Sequence, residues 1–251
     1  MIYGAMLRTP DGVRIDAAHL PGDGELGIVL AHGFTGTWRS PATRRIAAAL
    51  NRRAGVIAFD FRGHGRSSGL STVGDLEVLD LDSAVRHARA HYAKVVTVGF
   101  SMGAAVAVRH AALNRGVDAV VSVSGPARWY YRGTRPMRTV HWAIERRSGR
   151  LAARLAKRTR IKVGTWDPIP LAPFEAVPLI SPTPLLVVHG DADAFFPLEH
   201  AEQLHACANE PKELWVEPGF GHAENAASAQ LIRRIEEWIF ARTKSAQASS
   251  T

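Results

Sequence analysis

The sequence predicts an α/β protein whose mostly parallel sheet is covered by helices on both faces. Short apolar runs recur along its 251 residues, for example at 27–31 and 56–59, and each is followed by a segment with helical periodicity. Such runs are typical of strands buried on both faces, and their alternation with helices favours parallel crossover connections. The length suits one domain, and a hydrophobic share of 46% is enough for its core.

The predicted elements follow in a regular order. Residues 2–20 predict two strands joined by the turn Pro10-Asp11-Gly12, and further strands are predicted at 27–31, 56–59, 95–98, 119–123, 184–188 and 214–216. Helices are predicted at 41–51, 74–91, 198–207 and 224–242, with another directly after residue 101. The alternation breaks near Pro126 and resumes after residue 180.

The break defines an expected domain organisation. Residues 127–180 are basic and aromatic, with one predicted helix at 139–158 followed by four prolines. This composition indicates an inserted cap, so that 1–126 and 181–243 form the core. The polar, small residues of 244–251 predict a disordered tail.

One short motif points to chemistry. The strand predicted at 95–98 ends at Gly99-Phe100-Ser101-Met102-Gly103, and small, helix-compatible residues follow. In G-x-S-x-G between a strand and a helix, the glycines relieve crowding, so the serine can occupy a strained turn with its hydroxyl exposed. The helix start behind it supplies free N–H groups where a negative oxygen develops. The motif predicts Ser101 as a nucleophile.

A serine nucleophile needs a base within hydrogen-bond reach and an acid that orients the base. Ser101, Asp193 and His222 follow one another in this order, each after a predicted strand, and the chain thereby resembles the α/β-hydrolase superfamily from residue 28 to 242. Four further motifs carry the resemblance: His32-Gly33-Phe34, the D-x-R-G-x-G-x-S loop at 60–67, H-G-x-x-D at 189–193 with Pro197, and Gly221-His222.

The resemblance implies an α/β-hydrolase fold with eight strands and a small helical cap. It also implies that Ser101 attacks a carbonyl carbon, that His222 takes and returns the proton, and that Asp193 orients the imidazole. The backbone N–H groups of Phe34 and Met102 are expected to form the oxyanion hole. No metal and no organic cofactor is expected.

The acid has one alternative. Asp191 lies on the same short loop as Asp193 and is open to the same role. Some relatives carry the acid after the sixth strand, but that position here reads Ser124-Gly125-Pro126, without a carboxylate. The motif therefore favours Asp193.

Six other histidines are interpreted as non-catalytic. His32 and His64 lie in loops beside the site, where bonding to the backbone is expected. Two pairs fall at or near helical spacing without an acidic or cysteine partner, and are interpreted as surface residues rather than metal ligands: His87 with His91, and His200 with His205.

The basic charge is concentrated in one segment. Residues 128–162 hold twelve Lys or Arg and one acid, a net charge of +11, whereas the whole chain carries +8. The aromatics of this region are expected to line the substrate pocket, Trp129, Tyr130 and Trp166 above all. A basic amphipathic helix face that docks on an anionic membrane or an acidic ligand is an open alternative, as is a merely solvated face. No motif accompanies it that would favour nucleic acid.

The sequence thus predicts a serine hydrolase that cleaves a carboxylic ester or thioester through an acyl-enzyme. Small aryl esters, monoacylglycerols and lysophospholipids all fit as substrates. A carbon–carbon bond hydrolase or a peroxidase-like enzyme with the same residues is the alternative, and a non-catalytic binding or signalling module is the alternative of another class. The single Cys207, the lack of a long apolar run and the N-terminal composition favour a cytoplasmic protein.

Overall fold

The computed structural model describes residues 3–244. Eight strands form one sheet: β1 (Tyr3–Arg8), β2 (Arg14–Leu20), β3 (Leu26–Ala31), β4 (Gly55–Phe59), β5 (Lys94–Phe100), β6 (Ala119–Val123), β7 (Leu185–Gly190) and β8 (Lys212–Glu217). Their order across the sheet is β1-β2-β4-β3-β5-β6-β7-β8. Strand β2 is antiparallel to both β1 and β4, and all other neighbours are parallel. The predicted mostly parallel, eight-stranded sheet is confirmed.

The helices cover both faces of the sheet. They are α1 (Pro41–Leu50), α2 (Glu77–Arg89), α3 (Met102–Asn114), α4 (Arg135–Glu145), α5 (Arg147–Lys157), α6 (Pro173–Ala176) with a 3-10 turn at Val177–Ile180, α7 (Glu199–Cys207), α8 (Ala223–Ala226) and α9 (Ala229–Lys244). Side chains of a strand alternate between faces. In β3, Val29 therefore packs with α2 and α3, whereas Ile28 and Leu30 pack with α1 and α9.

Two helices that were predicted to be continuous are each divided into two, so these predictions are wrong. The helix expected at 139–158 is interrupted at Arg146, whose backbone is extended (φ −96°, ψ 142°), so α4 and α5 are separate. A Cβ on Gly149 would lie 2.2 Å from the carbonyl oxygen of Trp142, so the missing side chain lets α5 fold back closely on α4. The helix expected at 224–242 is likewise divided into α8 and α9.

The predicted insertion, 127–180, contains α4, α5, α6 and the 3-10 turn. The end of the insertion packs against the core. Its buried residues belong to the hydrophobic cluster that includes α3, namely Ala176, Val177 and Ile180. None of the helices between residues 3 and 244 is both long and apolar enough to cross a membrane. The tail predicted to be disordered lies outside the described residues from position 245 onward.

Candidate active site

Ser101 stands at the turn between β5 and α3 in a strained conformation. Its φ is 51° and its ψ is −115°, a region that L side chains rarely adopt, and its N–H donates to the Val123 carbonyl at 2.9 Å. A Cβ on Gly99 would lie 2.3 Å from the Gly103 carbonyl oxygen, and a Cβ on Gly103 would lie 2.3 Å from the Ala31 carbonyl oxygen. The glycines thus permit the tight strand-to-helix turn that the sequence predicts.

The structure brings the three separated residues together. The hydroxyl of Ser101 and Nε2 of His222 are 2.9 Å apart, and Nδ1 of His222 lies 2.8 Å from Oδ2 of Asp193. The Asp193 side chain is fully buried, and that of His222 is 16% exposed. An imidazole between a hydroxyl and a carboxylate can take the hydroxyl proton while the carboxylate stabilises the resulting charge.

Asp193 is held as an ionised acceptor. Burial acts to raise the pKa of its carboxyl group, but the hydrogen bond and charge of His222 and the N–H groups of Phe195 and Phe196 outweigh burial, so the pKa is lowered. These N–H groups donate to Oδ1 at 2.8 and 3.1 Å, leaving Oδ2 for the imidazole. The alternative acid, Asp191, is exposed and accepts from the N–H of Gly219 at 2.6 Å. The geometry therefore favours Asp193.

A buried carboxylate that sequence reasoning missed lies beside the nucleophile. Oε1 of Glu224 accepts from the N–H of Gly33 at 3.2 Å, and a Cβ on Gly33 would lie 3.3 Å from the Cβ of Ser101. Burial raises the pKa of Glu224, although backbone hydrogen bonds and His222 lower it in part. Its position two residues after His222 was the only signal in the sequence. Glu224 ties the loop after β3 to the loop that carries His222.

His32 and His64 fix the loop that begins at Gly33. Nε2 of His32 accepts from the N–H of Phe61 at 3.1 Å and its Nδ1–H donates to the Gly33 carbonyl at 2.7 Å. Nε2 of His64 accepts from the N–H of Thr35 at 3.2 Å. Burial lowers the pKa of both imidazoles to about 4, so both are neutral. Both bond to backbone, as expected, and neither approaches Ser101 by a hydrogen bond.

The loop at 60–67 supports the same segment. Oδ1 of Asp60 accepts from the hydroxyl of Thr37 at 2.7 Å and from the N–H of Trp38 at 2.8 Å, while Oδ2 accepts from the N–H of Arg66 at 3.1 Å. The buried carboxylate therefore joins the loop after β4 to the loop after β3. Its function is to hold loop geometry.

A large cavity opens above Ser101 and His222. Its volume is about 1160 Å³, and the inserted segment 127–180 forms much of its wall. Phe34 and Met102 line it close to the serine. Met102 is the first residue of α3, so its N–H has no acceptor within the helix and is available to a bound oxygen. The predicted oxyanion-hole residues thus border the cavity, and their role as donors stays a prediction.

The three aromatic residues predicted to bind substrate lie together on the cavity wall. The ring of Trp166 lies 5.1 Å from that of Trp129 and 5.5 Å from that of Tyr130. The indole N–H of Trp166 donates to the Thr72 carbonyl at 2.7 Å, and that of Trp129 donates to the Pro170 carbonyl at 2.9 Å. With the indole N–H groups satisfied in this way, the rings present apolar surface to the cavity.

Comparison with known proteins agrees with this architecture. A model of the alpha/beta hydrolase family matches residues 28–233. A monoacylglycerol lipase of Mycolicibacterium smegmatis is 29% identical over 250 residues, an alignment covering 84% of this chain and 87% of that protein.

Solved structures share the fold at low identity. The esterase Pf2001 of Pyrococcus furiosus superposes with a TM-score of 0.76 at 22% identity, covering 97% of this chain and 91% of that one. DcsB, solved in complex with a substrate analogue, superposes with a TM-score of 0.78 at 18% identity and 98% and 99% coverage. Because the family model matches most of this chain, residues 28–233, the chain belongs to the alpha/beta hydrolase family.

Proposed function

We propose that this protein is a serine hydrolase that cleaves a carboxylic ester or thioester through an acyl-enzyme. The observation that carries the proposal is the continuous hydrogen-bonded path from the Ser101 hydroxyl through His222 to Asp193, at the floor of a cavity. The family and its esterase-named and lipase-named relatives support hydrolysis as the reaction class.

The proposed reaction has two halves. In the first, His222 removes the Ser101 proton as Oγ attacks the carbonyl carbon, and then returns that proton to the departing alcohol or thiol. In the second, His222 activates a water that attacks the acyl-enzyme, and Ser101 leaves with its proton restored. In both halves the carbonyl oxygen becomes negative beside the N–H groups of Phe34 and Met102, where a lost donor typically costs about 10²-fold in rate.

The cavity supports a lipid-like acyl substrate, such as a monoacylglycerol or a lysophospholipid. A volume of about 1160 Å³ exceeds what a small acetate ester fills. The aromatic wall of Trp129, Tyr130 and Trp166 offers apolar surface to an acyl chain. The similarity to a monoacylglycerol lipase agrees with this substrate class.

In this proposal residues 127–180 act as a cap over the core of 1–126 and 181–243. On α5 the side chains of Leu151 and Leu155 are 56% and 74% exposed, next to the exposed Arg147 and Arg154. Apolar side chains flanked by cations suit an anionic membrane surface, from which a lipid-like substrate could enter. Co-sedimentation with vesicles tests this: wild type should bind phosphatidylglycerol vesicles at low salt, whereas a Leu151→Ser/Leu155→Ser variant should not. Equal binding by both would remove the docking role.

A series of p-nitrophenyl esters from acetate to palmitate, followed by 1-monooleoylglycerol, tests the reaction and the substrate class. Wild type should turn over with an optimum at medium or long chains, and Ser101→Ala should lose turnover while keeping the fold. Ser148→Ala, which changes an exposed serine of α5, is the matched control and should retain full activity.

Two outcomes would replace the proposal. Activity of Ser101→Ala equal to that of wild type would remove the serine mechanism. A folded wild type that is inert on the whole series would favour a carbon–carbon bond hydrolase, a peroxidase-like enzyme or a non-catalytic binding module. The proposal keeps the predicted cytoplasmic location, since the single Cys207 has no partner for an internal disulfide.

A further inference from the structure

Three histidines from two elements converge at a place that the proposed chemistry does not use. His19 is at the end of β2, whereas His87 lies in the last turn of α2 and His91 just beyond it. One ring nitrogen of each histidine lies within 4.8 Å of those of the other two. The ring centroids are 4.7 to 5.3 Å apart. The spacing of His87 and His91 by itself predicts surface residues rather than metal ligands, because nothing local points to the third ring.

The hydrogen bonds of these rings leave nitrogen lone pairs without a protein partner. Nδ1 of His91 lies 2.9 Å from the carbonyl oxygen of His87, to which it can only donate, so its Nε2 keeps a lone pair. Nε2 of His87 is buried and has no hydrogen-bond partner among the described residues. The lone pairs of these ring nitrogens are therefore not used by hydrogen bonds within the described part of the chain.

His19 is oriented by a hydroxyl group. Its Nε2 lies 2.7 Å from the phenol oxygen of Tyr92, which also accepts from the N–H of Gly22 at 3.3 Å. When Nε2 donates to the phenol, Nδ1 keeps its lone pair. Donation from the far ring nitrogen to a fixed oxygen is the arrangement by which metal-binding histidines are oriented. Both His19 and His91 therefore have such an outer partner.

The electrostatic setting also suits a cation. Histidine binds a metal ion through the lone pair of a neutral imidazole nitrogen. The cluster lies at the carboxyl end of α2, where the helix dipole is negative. A cation held by the three nitrogens is thus also favoured by the helix dipole.

We propose that His19, His87 and His91 form a binding site for a divalent transition metal of the zinc type. Zinc bound by imidazole has Zn–N distances of about 2.0–2.1 Å, so the three nitrogens would sit roughly 3.4 Å apart, and small side-chain rotations close the present spacing. Three protein ligands leave a fourth position for water. The metal would tie β2 to the end of α2.

The topology separates this site from the hydrolytic site. His19 pairs with Ile57 in the middle of β4, and β2 then continues toward the start of β4 because the two strands are antiparallel. Ser101 and Asp193 follow the carboxyl ends of β5 and β7, so they lie at the opposite end of the parallel strands. The metal is therefore expected to stabilise the fold without entering the reaction.

Calorimetric titration of the untagged, chelator-treated chain with Zn²⁺ tests the proposal, with Co²⁺ absorption as a report on tetrahedral nitrogen ligation. Wild type should bind one ion per chain and melt at a higher temperature when it is bound. Tyr92→Phe should weaken binding about 10- to 100-fold, as loss of an outer partner does, and His91→Gln should weaken it more. His205→Gln, a histidine outside the cluster, should bind like wild type.

His91 is exposed, so its substitution should leave the fold intact, which circular dichroism and unchanged ester hydrolysis would verify. Two results would overturn the site: wild type that binds no Zn²⁺, or one-to-one binding that persists unchanged in both His87→Gln and His91→Gln. Zinc binding abolished by His222→Gln instead would place the ion at the hydrolytic site.

Discussion

The imidazole of His222 stacks on the phenyl ring of Phe195, with ring centroids 4.2 Å apart and planes inclined by 23°. The backbone N–H of Phe195 also donates to Asp193 at 2.8 Å. One residue thus contacts the proposed base with its ring and the proposed acid with its backbone.

Phe195→Ala should lower kcat by roughly tenfold or more, since a misplaced base is costly in rate, while KM changes little. The backbone hydrogen bond to Asp193 survives this change, so the loss reports on the ring contact alone. Phe195→Tyr keeps the stacked ring and should restore most of the rate. An unaffected kcat in Phe195→Ala would show that the stacking does not orient His222.

Asp193→Asn should lower kcat by about 10⁴-fold, because an amide that donates to His222 favours the wrong imidazole tautomer. Asp191→Asn is the matched control on the same loop and should keep most of the activity, because the Asp191 carboxylate accepts from the Gly219 backbone and not from His222. Steady-state kinetics on one p-nitrophenyl ester decides the assignment. A large loss in Asp191→Asn with a small loss in Asp193→Asn would exchange the two roles.

Glu224→Gln should stabilise the protein at neutral and alkaline pH. In the folded protein the pKa of Glu224 is raised above its ordinary value of 4.5. Stability is therefore lost as the pH rises from 4.5 to the raised pKa, because the unfolded chain ionises first. Below pH 4.5 the carboxyl group is protonated in both states and the difference vanishes. The amide oxygen of glutamine can still accept from Gly33.

Thermal melts at pH 4 and pH 8 measure this effect. The melting temperature of Glu224→Gln should exceed that of wild type at pH 8 only. Glu237→Gln, which changes an exposed glutamate of α9, should show no such pH-dependent gap. A gap of equal size at both pH values would contradict the raised pKa as its cause.

Gly103→Ala should destabilise the fold by about 3 kcal/mol, because its Cβ would meet the Ala31 carbonyl oxygen at 2.3 Å and neither backbone can yield easily. Gly4→Ala in the edge strand β1 has no atom within 4 Å of the new Cβ and should change stability by less than about 0.5 kcal/mol. Urea unfolding compares the two. Similar stability of both variants would mean that α3 can shift away from β3.

Trp166→Ala should raise KM for long-chain esters while leaving acetate ester hydrolysis nearly unchanged, because the ring lines the cavity but does not contact Ser101 by any hydrogen bond among the described residues. Trp166→Phe retains an aromatic surface and should have an intermediate effect. Chain-length profiles of the three proteins provide the comparison. Equal KM increases for acetate and palmitate would argue against an acyl-binding wall.

The features that could be predicted from the sequence are those with a local signal. Ser101 is identified by a strand, two glycines and a helix within a few residues, so its conformation follows from steric crowding in a short segment. The mostly parallel sheet is indicated in a similar way, by buried apolar runs that alternate with helices. The helix break at Arg146 was not predicted, although Gly149 lies three residues later, because the break depends on how α5 packs against α4.

The features that escaped prediction depend on contacts between distant residues. Glu224 meets Gly33 across 191 positions, and His19 reaches His87 and His91 only because β2 joins the sheet beside β4. Neither contact leaves a pattern in sequence spacing. Long-range juxtaposition of polar groups is decided by topology, which the motifs constrain only in outline.

The central claim is that Ser101 is a nucleophile activated by His222, and reaction with a fluorophosphonate tests it without knowledge of the natural substrate. Intact-mass measurement should find one phosphonyl adduct on wild type, mapped by peptide analysis to Ser101. Ser101→Ala should remain unlabelled, and His222→Gln should react far more slowly. A folded wild type that gains no adduct, or an adduct retained in Ser101→Ala, would contradict the account.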